Sequence, residues 1–233
     1  MKLGVLGDVH ANIEALDEVL EQADRIGISK FLVLGDLVGY YFRPKQVIER
    51  IRQLDCYVVK GNHERLLLDL KSNHVGLDQV SPRYSKSHKR ALDELNDDEF
   101  DYLNSLPDML NFEFNGYRIR ATHEAAFPAS GYLYPDSARI QLEKSSFDGY
   151  DYVCVGHTHH RLHFTSEHGA QLINFGSVGQ NRSYGGIAEW GYIDSFNGVV
   201  KNCSVSYEID KVLGDVERYD NQNEHLREVL FRK

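Results

Sequence analysis

Residues 3–8 read LGVLGD, residues 31–36 read FLVLGD and residues 56–61 read CYVVKG. Each is a short apolar run that stops at a polar turn containing glycine, the pattern of a strand buried on both faces. Two helical patterns separate them. In ANIEALDEVLEQADRIG, Ile13, Leu16, Val19, Leu20 and Ala23 recur at helical spacing, with Asn12 placed to cap the start and Gly27 to end it. Pro44 opens the second, RPKQVIERIRQL. Buried strands alternating with helices predict an α/β chain built on a parallel sheet.

Working outward, residues 64–106 change character. ERLLLDLKS is amphipathic, YSKSHKRALDEL and DDEFDYLNSL read as helices, and Asn96 with Glu99 three residues on forms a capping-box pattern. This is read as a helical insert or cap within one domain spanning 1–233, because no linker sets it apart. The second half is strand-rich. MLNFEF and YRIRATH flank an Asn115-Gly116 turn and predict a hairpin. A helix is expected near Asp136–Lys144, then a buried strand in YDYVCVG. Two more hairpins are expected to turn at His168-Gly169 and Asn197-Gly198, and the polar tail from Asn221 to form a short surface helix.

Composition narrows the class. At 233 residues, 42% hydrophobic and 26% charged, the chain falls among globular domains, which excludes a disordered tail, a collagen-like repeat or a disulfide-stapled miniprotein. No stretch reaches the ~18 apolar residues of a membrane span, and the first residues do not read as a secretory signal. Cys56, Cys154 and Cys203 are odd in number and form no CxxC, so they are read as reduced thiols in a cytoplasmic protein. A net charge of −9 gives no bulk attraction for a polyanion, which argues against a stable nucleic-acid complex.

Five segments carry the chemistry: GDVH (Asp8, His10), GDLV (Asp36), GNHE (Asn62, His63), ATHE (His123) and GHTH (His157, His159). Each falls where a predicted strand gives way to a loop, and in a parallel α/β sheet such loops converge on one edge. Carboxylate, amide and imidazole together suit Mn, Fe, Zn, Co or Ni, and the lack of thiolates argues against a structural zinc site. Each piece alone is weak; the ordered set is read as a two-metal site.

This set resembles the calcineurin-like metallophosphoesterase superfamily, over residues 2–181, and INFGSVGQNR resembles a segment of its small single-domain bacterial and archaeal phosphodiesterase-like members. The resemblance implies a four-layer α/β/β/α sandwich with two central mixed sheets and the metals at one sheet edge. It implies that Asp8, His10 and His159 hold one metal, that Asn62, His123 and His157 hold the other, and that Asp36 bridges both. His63 matches the family's catalytic histidine. The cofactors implied are two divalent transition-metal ions, manganese first, with iron, nickel, cobalt or zinc as alternatives. The implied activity is hydrolysis of small phosphodiester or nucleotide-like substrates, in which metal-bound hydroxide attacks phosphorus while His63 assists the leaving oxygen. Relatives often self-associate, so a homo-oligomer is a further expectation.

The chain departs from the family pattern in places. Glu124 follows His123 where a glycine is common, and Gly39-Tyr40-Tyr41-Phe42-Arg43-Pro44 replaces a shorter loop. Asn12, Arg43 and Arg182 are candidate substrate contacts, against the plainer readings of helix cap and surface arginines. Tyr40, Tyr41 and Phe42 are read as ordinary packing before nucleotide stacking. His74, His88, His168 and His225 lie in polar segments and are expected to be exposed and incidental. The alternatives left open are a non-catalytic docking scaffold, as the retromer subunit of this superfamily is thought to be, and a nuclease or a Ser/Thr protein phosphatase.

Overall fold

The three apolar runs lie side by side. In the computed structural model, which describes residues 1–125, 132–134 and 149–233, β1 (Lys2–Leu6), β2 (Lys30–Val33) and β3 (Asp55–Val58) pair in parallel. The two strands β9 (Ile187–Asp194) and β10 (Val199–Ser206) join the far side of β1 antiparallel, giving the order β10-β9-β1-β2-β3. A second five-stranded sheet has the order β4-β5-β6-β8-β7. Its centre is again three parallel strands, β5 (Tyr117–Thr122), β6 (Tyr152–Cys154) and β8 (Gln171–Phe175). Antiparallel edges, β4 (Met109–Phe114) and β7 (Arg161–Thr165), flank them.

The strands alternate their side chains between two cores, as the pleat dictates. From the first sheet, Leu3, Val5, Leu32 and Leu34 meet Ile119, Ile173 and other residues of the second sheet in a core between the two. Leu6, Phe31 and Val33 face the opposite way, against α1 (Ile13–Arg25) and α2 (Pro44–Arg52). Each large apolar side chain buried this way contributes roughly 1.5–3 kcal/mol over leaving it in water. On the second sheet's outer face, Val153, Val155 and Leu172 pack with Leu133. The helix expected near 136–144 lies outside the described residues.

The insert is helical as expected: α3 (Asn62–Lys71), a short 3₁₀ turn (Leu77–Gln79), α4 (Ser85–Glu94) and α5 (Asp97–Ser105). The Asn96–Glu99 capping box is formed, with both reciprocal bonds present. Ala91, Phe100 and Leu103 enter the same core as α1 and α2, so the insert shares the hydrophobic interior of the first sheet. The three hairpins form, and Asn115, Gly116, Gly169 and Gly198 take the positive φ their turns require.

The C-terminal region differs from expectation. Residues after Ser206 do not extend the strand; α6 (Ile209–Asp220) and α7 (Glu224–Leu230) follow instead. Nor is the tail a surface helix, because Val212, Val216, Leu226 and Leu230 pack against Ala11, Tyr41 and Phe42. Its apolar residues are few and interspersed with charge, so a half-buried helix pair there reads like a solvated one. No helix among the described residues is long and apolar enough to cross a membrane.

Candidate metal centre

The parallel strands of both sheets run toward one end of the molecule, and the five quoted segments leave them there. Asp8, His10, Asp36, His157 and His159 all adopt positive φ, between 51° and 71°. A non-glycine residue there costs roughly 1–2 kcal/mol, and such strain persists where surrounding bonds over-determine it, commonly at functional sites. Those bonds are present. His10 N–H donates to the Asp36 carbonyl (2.8 Å), Gly156 N–H to the His123 carbonyl (2.9 Å) and Gly179 N–H to the Asp8 carbonyl (3.0 Å). A side chain on Gly61 would collide with the Asp36 carboxylate.

Asp8, His10, Asp36 and His159 each bring one ligand atom to a common point, all within 4.8 Å of one another and all buried. His10 Nδ1 lies 3.0 Å from the Val38 carbonyl and His159 Nδ1 lies 2.7 Å from that of Gln180. A carbonyl only accepts, so each Nδ1 carries the proton and each Nε2 presents a lone pair. Those two Nε2 atoms face each other at 3.0 Å. Asp8 Oδ1 is 3.4 Å from His159 Nε2, and Asp36 Oδ2 is 3.7 Å from His10 Nε2. Four acceptors converging in a dry interior repel unless a cation or protons lie between them. Mixed oxygen and imidazole donors suit a divalent transition metal.

A second group adjoins through Asp36. His123 Nδ1 donates to the Leu34 carbonyl (2.6 Å), which leaves Nε2 facing Asp36 Oδ2 at 3.2 Å and Asn62 Oδ1 at 2.8 Å. His157 Nδ1 is 2.8 Å from the same Asn62 oxygen, and its buried Nε2 has no partner. Asp8 Oδ2 is likewise buried without a partner. The residues therefore fit cations in both groups, with the Asp36 carboxylate between them.

The electrostatics show the same demand for positive charge. Burial, opposed by His123 and reinforced by Asp36, raises Asp8 to about 7. Burial would also raise Asp36, but His123, His63 and His10 outweigh it and hold that carboxylate well below the usual range. Burial lowers His10 to about 4 and takes His159 and His63 well below the ordinary imidazole range. His123 is the exception: burial opposes its charge, but Asp36 and then Asp8 raise it to about 10. Without a cation, a proton on His123 compensates the carboxylates.

Glu64 has a part that the sequence reading did not assign. Its carboxylate accepts from four backbone N–H groups, those of Asp36 (2.8 Å), Leu37 (2.8 Å), Val38 (3.2 Å) and Gly61 (2.8 Å). It thereby fastens the loop carrying Asp36 to the helix start carrying Asn62 and His63. The available signal was its place at the third position of α3, where a carboxylate reaches back to the helix start. Burial, then Asp36, raise its carboxyl to about 7 against the pull of those N–H groups.

The remaining candidates are dispersed. Asn12 caps α1, accepting from Ala15 N–H (3.1 Å) while its amide donates to the Gly179 carbonyl (2.9 Å), so its side chain is occupied within the protein. Arg43 forms a two-pronged pair with Asp215 (2.5 and 2.8 Å). Arg182 stays near the centre: its Nη2 is 3.4 Å from the Tyr40 hydroxyl, its Nε is buried without a partner, and no ion pair to a described carboxylate involves it. Glu124 turns to Arg65 (2.9 Å) and adds no carboxylate to the centre. All three aromatics of the loop enter one buried cluster, and Tyr40 also packs against His10 and His63. His88 corrects the expectation of exposure: it is fully buried and stacked on His63 (5.1 Å, 28°). Lys86 and Lys89 beside it face solvent while Ser87, His88 and Ala91 form the buried side of α4.

Comparison with known proteins agrees with this architecture. Residues 1–190 match the family model for the calcineurin-like phosphoesterase superfamily domain. The chain is 30% identical over 247 residues to an uncharacterised protein of Methanocaldococcus jannaschii, covering 98% of this chain and 97% of that one. A hypothetical protein from Pyrococcus horikoshii has a solved structure that superimposes with a TM-score of 0.85 at 21% identity, covering 99% of this chain and 98% of its own. A metallophosphoesterase from Sphaerobacter thermophilus does so with a TM-score of 0.79 at 24% identity, with the same coverage. With the family model covering most of its length, the chain belongs to the calcineurin-like phosphoesterase superfamily.

Proposed function

We propose that the protein is a phosphoesterase dependent on two divalent metal ions, acting on small phosphodiester or nucleotide-like substrates. The observation that carries this reading is the pair of buried acceptor groups sharing Asp36, assembled at the carboxyl ends of parallel strands from both sheets. Asp8, His10 and His159 would hold one ion, Asn62, His123 and His157 the other, and Asp36 both, with manganese the first candidate metal. Divalent ions so held would acidify water and offset the charge of the phosphate oxygens.

The chain's own residues would do the rest. His63, held by rings beside the centre and kept neutral by burial in the free protein, would carry a proton for the leaving oxygen only once the substrate's negative charge lies beside it. Arg182, without a described carboxylate partner, would pair with a phosphate oxygen. Tyr132, exposed and with its ring 4.2 Å from that of His157, would offer a face to a planar leaving group such as a base. Such a mouth suits a small substrate, and the acidic net charge does not favour long nucleic acid.

The experiment is hydrolysis of bis-p-nitrophenyl phosphate and p-nitrophenyl phosphate by metal-stripped protein, with Mn, Ni, Co, Zn or Mg restored singly. Diester cleavage that needs metal and falls at least ~100-fold in His63→Asn, with metal content kept, is the expected result. Cleavage of the monoester alone would replace the diesterase reading with a phosphatase. No turnover with any metal that binds would overturn the enzymatic reading.

A further inference from the structure

His63 differs from its neighbours in how its ring is held. His10, His123 and His159 each direct Nδ1 at a backbone carbonyl, so a hydrogen bond sets both tautomer and ring plane. His63 has no such anchor. Its Nδ1 is buried without a partner and faces Gly39, where any side chain would collide with the ring. Other rings surround it: His10 (5.0 Å, 79°), Tyr40 (5.0 Å, 43°), Tyr84 (4.8 Å, 74°) and His88 (5.1 Å, 28°). Only His88 lies nearly parallel, covering a face.

Tyr84 and His88 both come from the helical insert. Tyr84 immediately precedes α4, and His88 follows one turn later, with its Nδ1 donating to the Tyr84 carbonyl (2.9 Å). One helix start therefore fixes both rings. That start is itself tied to the C-terminal helices: the Asn223 amide donates to the Arg83 carbonyl (3.0 Å), and Lys86 pairs with Asp220 (2.8 Å).

We infer that His88 is a positioning residue for His63, the helical insert setting the plane of that ring by stacking where the other histidines of the centre use a hydrogen bond. The inference rests on the reading of His63 as the proton donor. Its geometric part stands apart from that reading and is tested apart from it. The contact is one of ring faces, so a phenyl group in place of His88 preserves it while giving up the Nδ1 bond to the Tyr84 carbonyl, which separates the stacking from that bond.

The variants are His88→Leu, which keeps volume without a ring, and His88→Phe, which keeps the ring; His88→Ala serves if the leucine variant does not fold. In histidine-labelled spectra of zinc-loaded protein, the His63 ring-proton signals should shift and broaden in His88→Leu and stay near their wild-type positions in His88→Phe. With bis-p-nitrophenyl phosphate, His88→Leu should lose about tenfold in kcat with KM and metal content within twofold, and His88→Phe should recover at least half. His63→Asn combined with His88→Leu should be no slower than His63→Asn alone, because both changes disable one group. Unmoved His63 signals in His88→Leu, or multiplicative losses in the double variant, would overturn the inference. An inactive wild-type protein would fall on the proposed function alone, and the spectra would still decide the placement of His63.

Discussion

The two sheets place three parallel strands each against the same centre, yet they deliver different chemistry. Loops after β1, β2 and the start of α3 bring two carboxylates, an amide and two imidazoles: Asp8, Asp36, Asn62, His10 and His63. Loops after β5 and β6 bring imidazoles alone, His123, His157 and His159. Among the proposed ligands all the negative charge comes from the first sheet, and the second supplies imidazoles, of which His123 holds a proton when no cation is present. This division lowers the cost of assembly, because opposing carboxylates on two rims would repel as the sheets pack. In the proposed assignment a cation, or the proton on His123, would be part of what joins the sheets at this end.

The comparison predicts unequal losses. Asp36→Asn removes the carboxylate shared by both groups and should abolish binding of both metals and cut turnover by roughly 10³-fold or more. His157→Ala, from the imidazole rim, should lose one metal and keep the other. Metal content by elemental analysis, set beside turnover, distinguishes them; equal loss in both variants would break the division of labour. Glu64→Gln touches no proposed ligand, but it removes the charge that collects four N–H groups, so metal affinity should fall about 10–100-fold. Wild-type affinity in Glu64→Gln would show that the loop carrying Asp36 holds without it.

The first rim was more legible in sequence than the second, for physical reasons. A parallel strand buried on both faces leaves an uninterrupted apolar run, so LGVLGD and FLVLGD mark both strand and site edge, whereas CYVVKG, equally apolar in sequence, is the partly exposed edge strand β3. Asp8 and Asp36 follow such runs directly. In the second sheet β6 has only three residues, and His123 ends a hairpin strand that alternates buried and partly exposed positions. Its proposed ligands are read from their motifs. What stayed hidden was tertiary. His88 looks solvated within SKSHKR, and nothing local says that its side of α4 meets His63. The buried face of α6 and α7 was missed because its partners are Tyr41 and Phe42, some 170 residues earlier. Glu64 is visible as a helix-start carboxylate, but its bonds to residues 36–38 depend on how two loops meet.

A smaller effect concerns the junction itself. His123 is raised to about 10 when no cation is present, chiefly by Asp36 against the pull of burial. A histidine whose folded pKa exceeds its unfolded value near 6.5 contributes stability that is complete below that value and is lost as pH rises toward 10. Asp8 and Glu64, both near 7, are about three-quarters ionised at pH 7.5 and add to the loss in the same direction until roughly pH 8. Between pH 7.5 and 9, metal-stripped protein should therefore lose about 1 kcal/mol per pH unit in urea unfolding. With divalent metal bound the loss should shrink to the part set by the thiols of Cys56, Cys154 and Cys203, which burial raises, the cation replacing the proton at His123. A flat profile for the stripped protein would mean that the junction does not depend on this proton.

The smallest expected effect lies away from both rims. Arg43 stands four residues beyond the Gly39 that borders His63, in a loop whose position suggested a phosphate contact. Its guanidinium is instead held by Asp215 of α6, whose carboxylate is mostly buried while the arginine is 39% exposed. Arg43→Met should leave kcat and KM for bis-p-nitrophenyl phosphate within twofold. Stability should fall by about 1 kcal/mol, since water screens the arginine but the carboxylate is left without its partner. For a chain of this size that is a drop of roughly 2–4 °C in Tm. A rise in KM at unchanged Tm would reverse the assignment: Arg43 would then leave Asp215 to meet substrate, and the first rim would supply a cation as well as its carboxylates.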